Sequence, residues 1–243
     1  MPTRSILHLQ RLLWIVCALL SPTGGRAQTE PYLVGWGASN FDSRASGGTF
    51  TQIDVCLNMA VMLRADGVVF AGGYLSPPPP TLPQGVYFVH CATGHNNLFA
   101  GIRSDGLVEQ WCGYAQPIFP PPVLPPTVAY TQIAISPWTL AGLRSDGLIE
   151  VWGRDAYITA YDPPAPPPGT FFTKVVAASA VFAALTLDGQ ALTWGLGPPA
   201  VPSLPTGVSY VDVAAGYEHF LLLRSDGMID TIGWSNVYRS EER

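Results

Sequence analysis

Residues 130–153 read YTQIAISPWTLAGLRSDGLIEVWG. Three strand-like runs lie in this stretch. Tyr130 to Ile135 is the first, Thr139 to Arg144 the second, and Leu148 to Trp152 the third. Asp146-Gly147 separates the last two. A tight hairpin turn needs positive φ, which Gly and Asp tolerate, so the spacing predicts a two-residue hairpin turn with one more strand upstream. The motif then repeats along the chain. Asp-Gly occurs at Asp66-Gly67, Asp105-Gly106, Asp146-Gly147, Asp188-Gly189 and Asp226-Gly227. A period near 40 residues is the signature of a repeat architecture.

Other features keep the same period. Strand-like runs precede each hairpin at Thr51 to Val55, Val86 to Ala92, Tyr130 to Ile135, Phe172 to Ala177 and Tyr210 to Ala215. Arg64, Arg103, Arg144 and Arg224 stand two residues before an Asp, whereas the fourth repeat has Thr186. The Arg reads as a solvated side chain beside the turn, paired with the Asp. Trp152-Gly153 and Trp194-Gly195 follow their turns, and Trp111-Cys112-Gly113 carries one insertion. Gly72-Gly73 and Ile232-Gly233 lack the Trp, and Trp36-Gly37 stands without a preceding Asp-Gly. A large ring once per repeat is a packing device between stacked sheets. Proline clusters at Pro77 to Pro83, Pro117 to Pro126, Pro163 to Pro168 and Pro198 to Pro205. Proline cannot donate to a ladder, so these stretches read as outer edge strands.

Each unit is therefore expected to hold four strands, the outermost marked by proline. Such units repeated radially make a β-propeller. A solenoid of this period would show helical spacing of apolar residues, and none is seen. The fold class is all-β, a propeller of about five four-stranded blades. Trp36-Gly37 and Ile232-Gly233 hold the same repeat position. A five-bladed ring with a spare strand, an open arc and a truncated relative of a longer ring all stay open.

The run Tyr210 to Gly233 (YVDVAAGYEHFLLLRSDGMIDTIG) resembles the repeat of the regulator of chromosome condensation family. Gly216, His219, Asp226, Gly227 and Gly233 carry the likeness, as do Asp146, Gly147, Trp152 and Gly153 in the third repeat. The second repeat has Gly94-His95 at a different spacing. The resemblance covers about residues 32 to 238. It implies a propeller that usually closes with seven blades and a structural role for His219. It also implies two specific activities as alternatives. One is inhibition of an enzyme, as in the secreted β-lactamase-inhibiting propellers. The other is guanine nucleotide exchange, which would require an intracellular chain.

Residues 1–27 read as a signal peptide: Arg4 and Arg11, the apolar run Leu12 to Leu20, and a small exit with Gly25 and Ala27 before the cut. The apolar run is too short to span a bilayer. Residues 28–243 then form the propeller, secreted or periplasmic. Cleavage removes three basic residues and no acidic ones. The whole chain already has 17 acidic against 12 basic residues and a net charge of −5. That excludes a nucleic-acid binder working through a basic surface. With 48% hydrophobic and 12% charged residues, it also excludes charge-driven disorder. Cys56, Cys91 and Cys112 read as three small buried residues, with one disulfide plus a free thiol as the alternative.

No nucleophile elbow, zinc-protease helix, phosphate loop or calcium loop occurs. No cofactor is expected and no catalytic residue is assigned. What remains is surface. The turns between first and second strands vary in sequence, whereas the Asp-Gly turns barely do. Tyr and Trp in loops make binding hot spots. The expectation is a non-enzymatic module that binds a protein of unknown identity through Trp138, Tyr157, Tyr161 and Tyr217.

Overall fold

The computed structural model describes residues 34–35, 41–42, 48–56, 59–73, 76–94, 97–113, 118–154 and 161–233. The signal segment 1–27 lies outside them. A short antiparallel pair, β1 (Val34–Gly35) and β2 (Phe41–Asp42), comes first. Five antiparallel three-stranded sheets follow. Blade 1 holds β3 (Phe50–Cys56), β4 (Met59–Arg64) and β5 (Val69–Gly73); blade 2 holds β6 (Phe88–Thr93), β7 (Leu98–Arg103) and β8 (Val108–Cys112). Blade 3 holds β9 (Tyr130–Ile135), β10 (Thr139–Arg144) and β11 (Ile149–Gly153); blade 4 holds β12 (Phe172–Ala177), β13 (Val181–Thr186) and β14 (Ala191–Gly195). Blade 5 holds β15 (Tyr210–Ala215), β16 (His219–Arg224) and β17 (Ile229–Gly233). First strands of consecutive blades lie beside one another. This is the propeller arrangement, and the described residues contain no α-helix.

The expected fourth strand does not form. The proline stretches run past the third strand without joining its ladder, because proline offers no N–H to it. Side chains hold them instead. Gln110 donates to the Phe119 carbonyl at 2.6 Å, and Thr193 to that of Pro199 at 2.8 Å. Tyr130 and Tyr210 donate their hydroxyls to Pro122 and Pro202, each at 3.2 Å. The cysteines are free rather than bridged: Cys91 is buried, and Cys56 and Cys112 are half-buried.

The Asp-Gly turns also differ from the expected type. Only Gly takes positive φ, as at Gly67 (+81°) and Gly147 (+78°), while Asp stays right-handed. The turn is one residue longer, taking in Ser145 on its N-terminal side. Gly147 N donates to Arg144 O at 2.9 Å, and Arg144 N to Leu148 O at 2.8 Å. Asp146 ties the turn from its side chain, accepting from Leu148 N at 3.4 Å and from the Arg144 guanidinium. Asp66, Asp105 and Asp226 bind Arg64, Arg103 and Arg224 in the same way. A second carboxylate on the third strand often joins the Arg: Glu109, Glu150 or Asp230. In the fourth repeat the Thr186 hydroxyl donates to Asp188, so the ion pair becomes a neutral bond. In each case the partner beside it holds the Asp carboxyl below the usual carboxylate range.

These turns also join blades. Gly147 O accepts from Phe172 N at 2.9 Å, and Gly189 O from Tyr210 N at 2.9 Å. A Cβ at Gly147 would lie 2.4 Å from that of Phe171, at the entry to the next blade. Gly106 has the same positive φ with open space around it. Gly106→Ala is therefore expected to cost about 1 kcal/mol, from left-handed strain alone. Gly147→Ala should cost at least twice as much, because Phe171 must also move. Chemical denaturation of the two variants checks this; equal losses would show that the close approach carries no energy.

The core lies between blades. Met59, Val61 and Leu63 on the front of blade 1 share a cluster with Phe88, Cys91, Phe99 and Trp111 on the rear of blade 2. The pattern recurs at the next three junctions. Trp111 stacks on Phe99 of its own blade at 5.7 Å and Trp194 on Phe182 at 5.5 Å, whereas Trp152 meets Tyr130 tilted at 5.4 Å. The indole Nε1 atoms of Trp111, Trp152 and Trp194 are buried and find no acceptor among the described residues. The ring is used here for its shape and area. The recurring Trp is thus the packing device that its spacing predicts.

Candidate protein-binding face

The two ends of the blades differ in how much of their polar backbone is committed. At the Asp-Gly end, turn carbonyls bond to the next blade. Gly67 O accepts from Phe88 N at 3.1 Å, Gly147 O from Phe172 N at 2.9 Å and Gly189 O from Tyr210 N at 2.9 Å. A Cβ at Gly67, Gly147 or Gly189 would come within 2.5 Å of the next blade, so these three positions are restricted. The opposite end carries the turns between first and second strands. Apart from one bond between blades 4 and 5, they close on themselves: Ser136 N donates to Thr139 O at 2.9 Å, Ala178 N to Val181 O at 2.8 Å, and Gly216 N to His219 O at 2.8 Å. Their central side chains are free to differ.

Three consecutive blades present one position of this turn as Trp138, Ala180 and Glu218. Trp138 is half-buried, and the Arg154 guanidinium lies over its ring at 5.3 Å from the centroid. The same segment is pinned by Arg154 N donating to Trp138 O at 3.0 Å. A cation over an indole face is attractive and keeps both side chains in one place. In the next blade the small Ala180 leaves a shallow open notch, with room for little more than a water molecule, lined by Ala178, Ala180, Pro199, Glu218 and Phe220. Tyr217, 50% exposed, stands beside it and bonds blades 4 and 5 through its carbonyl, which accepts from Ser179 N at 2.7 Å. The face thus offers an aromatic–cation pair, an apolar notch and a carboxylate in sequence.

Of the four predicted residues, Trp138 and Tyr217 lie on this face and Tyr157 is outside the described residues. Tyr161 does not reach the surface. It is 2% exposed and packs edge-on to Phe182 at 5.8 Å, in the core between blades 3 and 4. The chain leaving blade 3 turns into the gap between the blades at that point, so the ring fills space rather than facing solvent. Arg154 and Glu218 were not singled out in the sequence. The only signal for Arg154 is its place next to Trp152-Gly153, at the end of the third strand.

A second polar system runs along the first strands. The residue two beyond each leading aromatic reaches the neighbouring blade. Gln52 accepts from Cys91 N at 3.1 Å and donates to Cys91 O at 2.6 Å; its amide also meets His90 Nε2 at 3.2 Å. Gln132 accepts from Val175 N at 3.0 Å, and Lys174 pairs with Asp212. These bonds replace the ladder that separate sheets cannot share. Burial pulls His90 down to about 4, so its ring stays neutral. Burial and Asp54 push the Cys56 thiol up to about 12 and Cys91 up as well. Neither thiol is poised as a nucleophile, since it is the thiolate that reacts.

No protein-family model matches the chain, and no curated protein does. Solved structures do. The CRINKLY WD40 ectodomain of the receptor kinase ACR4 from Arabidopsis thaliana is 19% identical with a TM-score of 0.60, covering 84% of this chain and 72% of that one. Prp20p from Saccharomyces cerevisiae is 17% identical with a TM-score of 0.58, covering 77% and 58%. Human WBSCR16 is 17% identical with a TM-score of 0.59, covering 81% and 68%. The chain thus spans under two thirds of the yeast protein. These likenesses establish the fold: a β-propeller.

Proposed function

We propose that the chain is an exported, non-enzymatic propeller that binds another protein on the face carrying Trp138, Arg154, Tyr217 and Glu218. One observation carries the reading. The Asp-Gly turns are committed to junctions between blades, whereas the opposite turns vary in chemistry and hold exposed aromatic and charged groups. Such groups around a notch are the material of interface hot spots. A propeller of this fold, Prp20p, has described binding properties to Gsp1p and histones, which supports protein recognition as a use of the scaffold. The basic start, apolar run and small exit of residues 1–27 support export.

Trp138→Ala with Tyr217→Ala tests the reading. The purified chain is used to capture partners from the host's extracellular and envelope fractions, and affinity is then measured for the captured protein. The double variant should lose affinity at least about tenfold, since each anchor of this kind contributes on the order of 1–2 kcal/mol. Its melting curve should be unchanged. A partner held equally well by the variant places the site elsewhere on the propeller, and no partner at all argues against a binding module.

A further inference from the structure

Four times along the arc, the front of one blade is covered by the rear of the next. Blade 5 repeats the front pattern, and no sheet among the described residues covers it. Leu221 and Leu223 on β16 occupy the places of Ala183 and Leu185 in blade 4, which are 0% and 4% exposed. Leu221 is 39% exposed and Leu223 36%. Ile229, which pairs with Leu223 across β16–β17, is 59% exposed, whereas Ile149 in the same place of blade 3 is buried. The fifth blade therefore shows solvent a face that the fold elsewhere treats as core.

Its chemistry says what fits. The place of Leu221 is held by Val61, Ala100, Ala141 and Ala183 in the other blades. Each shares its cluster with a bulky side chain on the middle strand of the next blade: Phe99, Leu140, Phe182 or Phe220. Small faces large at every junction. Leu221 is already large, so one more blade of the ordinary kind would overpack there, at about 1–3 kcal/mol. The face suits itself better. Leu221 stands opposite Ala214 in the β15–β16 register, and Ala214 is exposed. A two-fold axis parallel to the strands and midway between the facing sheets sets each Leu221 over the other copy's Ala214, as knob into hole. Asp212 on this face is paired within the chain with Lys174, and the exposed His219, two residues before Leu221, is the other ionisable side chain of β15–β17 there.

We infer that the open face of blade 5 is a two-fold contact between two copies of this chain. Continuity with four internal junctions of the same make sets its apolar character, and the Leu221–Ala214 pair sets its symmetry. The area of a single three-stranded face is below that of a standard interface, so the dimer forms in the micromolar range or weaker.

Sedimentation equilibrium of the purified chain from about 1 to 300 µM tests this. The weight-average mass should rise with concentration and level off at twice the monomer. Leu221→Ser with Leu223→Ser should weaken dimerisation at least tenfold while leaving the melting curve in place. Leu107→Ser, at an exposed site on blade 2, should change nothing. Leu221→Cys, near the axis, should cross-link two copies under mild oxidation. Four results would overturn the inference. They are a monomer throughout, a dimer indifferent to the double variant, a mass that grows beyond two copies, and a monomer whose β16 amides resist exchange. The third would mean end-to-end assembly, and the last a cover supplied by the chain itself.

Discussion

Phe182→Ala is expected to lower stability by about 3–5 kcal/mol, the usual cost of removing a fully buried aromatic side chain. Phe182 is 0% exposed and stands where three layers meet. Its ring stacks on Trp194 at 5.5 Å within 20° of parallel, and Tyr161 meets it edge-on at 5.8 Å. Ala141 and Leu143 of blade 3 close the same cluster from the other side. The cavity left by Ala cannot collapse, because Trp194 and Tyr161 are each held by the backbone of separate segments. For a domain of this size each kcal/mol moves Tm by about 2–4 °C, so the midpoint should fall by roughly 6–20 °C. Leu187→Ala, at an exposed turn, should stay within about 0.5 kcal/mol. Because each blade contacts only its neighbours, hydrogen exchange should rise first along β12 and β13 and least along β3 and β4. A loss below about 1 kcal/mol would mean that blades 3 and 4 do not support one another, and the interblade core would not be the source of cohesion.

The blades were legible because their decisive residues are local. Asp146, Gly147 and the runs beside them lie within one hairpin, and the period of the Asp-Gly pairs multiplies the signal fivefold. The pairing of Arg144 with Asp146 was legible for the same reason, since a single residue separates them. Features that depend on neighbouring blades were not. Gln132 reaches Val175 and Lys174 reaches Asp212 across one full repeat, and nothing in either segment names its partner. Tyr161 illustrates the same difficulty. An aromatic residue after a third strand can face solvent or fill the gap behind it, and only the position of Phe182 decides. The proline stretches were placed correctly at the outer edge, yet their bonding could not follow the ladder expected of a strand. Trp138 and Tyr217 stood out through variation between turns, whereas the notch at Ala180 arises from what is small beside what is large. Comparing the three turns position by position would have found it.

Asp54→Asn is expected to expose a pH dependence that the intact protein hides. Asp54 on β3 accepts from Thr93 N at 2.8 Å and from Val55 N at 3.0 Å. Burial outweighs both bonds and pushes its carboxyl up to about 6 from 3.8. Between those values the folded chain holds a proton that the unfolded chain has lost. Stability from this group is complete below about 4 and is lost as pH rises through 6. At 1.36 kcal/mol for each pH unit, the loss amounts to about 2–3 kcal/mol at neutral pH. His90 acts in the opposite sense. Its ring, ordinarily near 6.5, is held down to about 4 by burial. The unfolded chain therefore binds the extra proton between 4 and 6.5, and stability from His90 rises with pH over that window, by a similar amount. The two slopes nearly cancel, so the intact chain should show a flat profile from pH 4 to 6.5. The lowered turn aspartates titrate below that range and leave it undisturbed. Asp54→Asn keeps an acceptor for Thr93 N and removes the acid, so it should match the parent near pH 4 and exceed it by about 2–3 kcal/mol at pH 7. His90→Gln should do the reverse, with stability falling across the same window. Urea melts at half-unit pH intervals measure both curves. A parent profile that already slopes, or an Asn variant as flat as the parent, would mean that Asp54 is not held in its neutral form by the contact between blades 1 and 2.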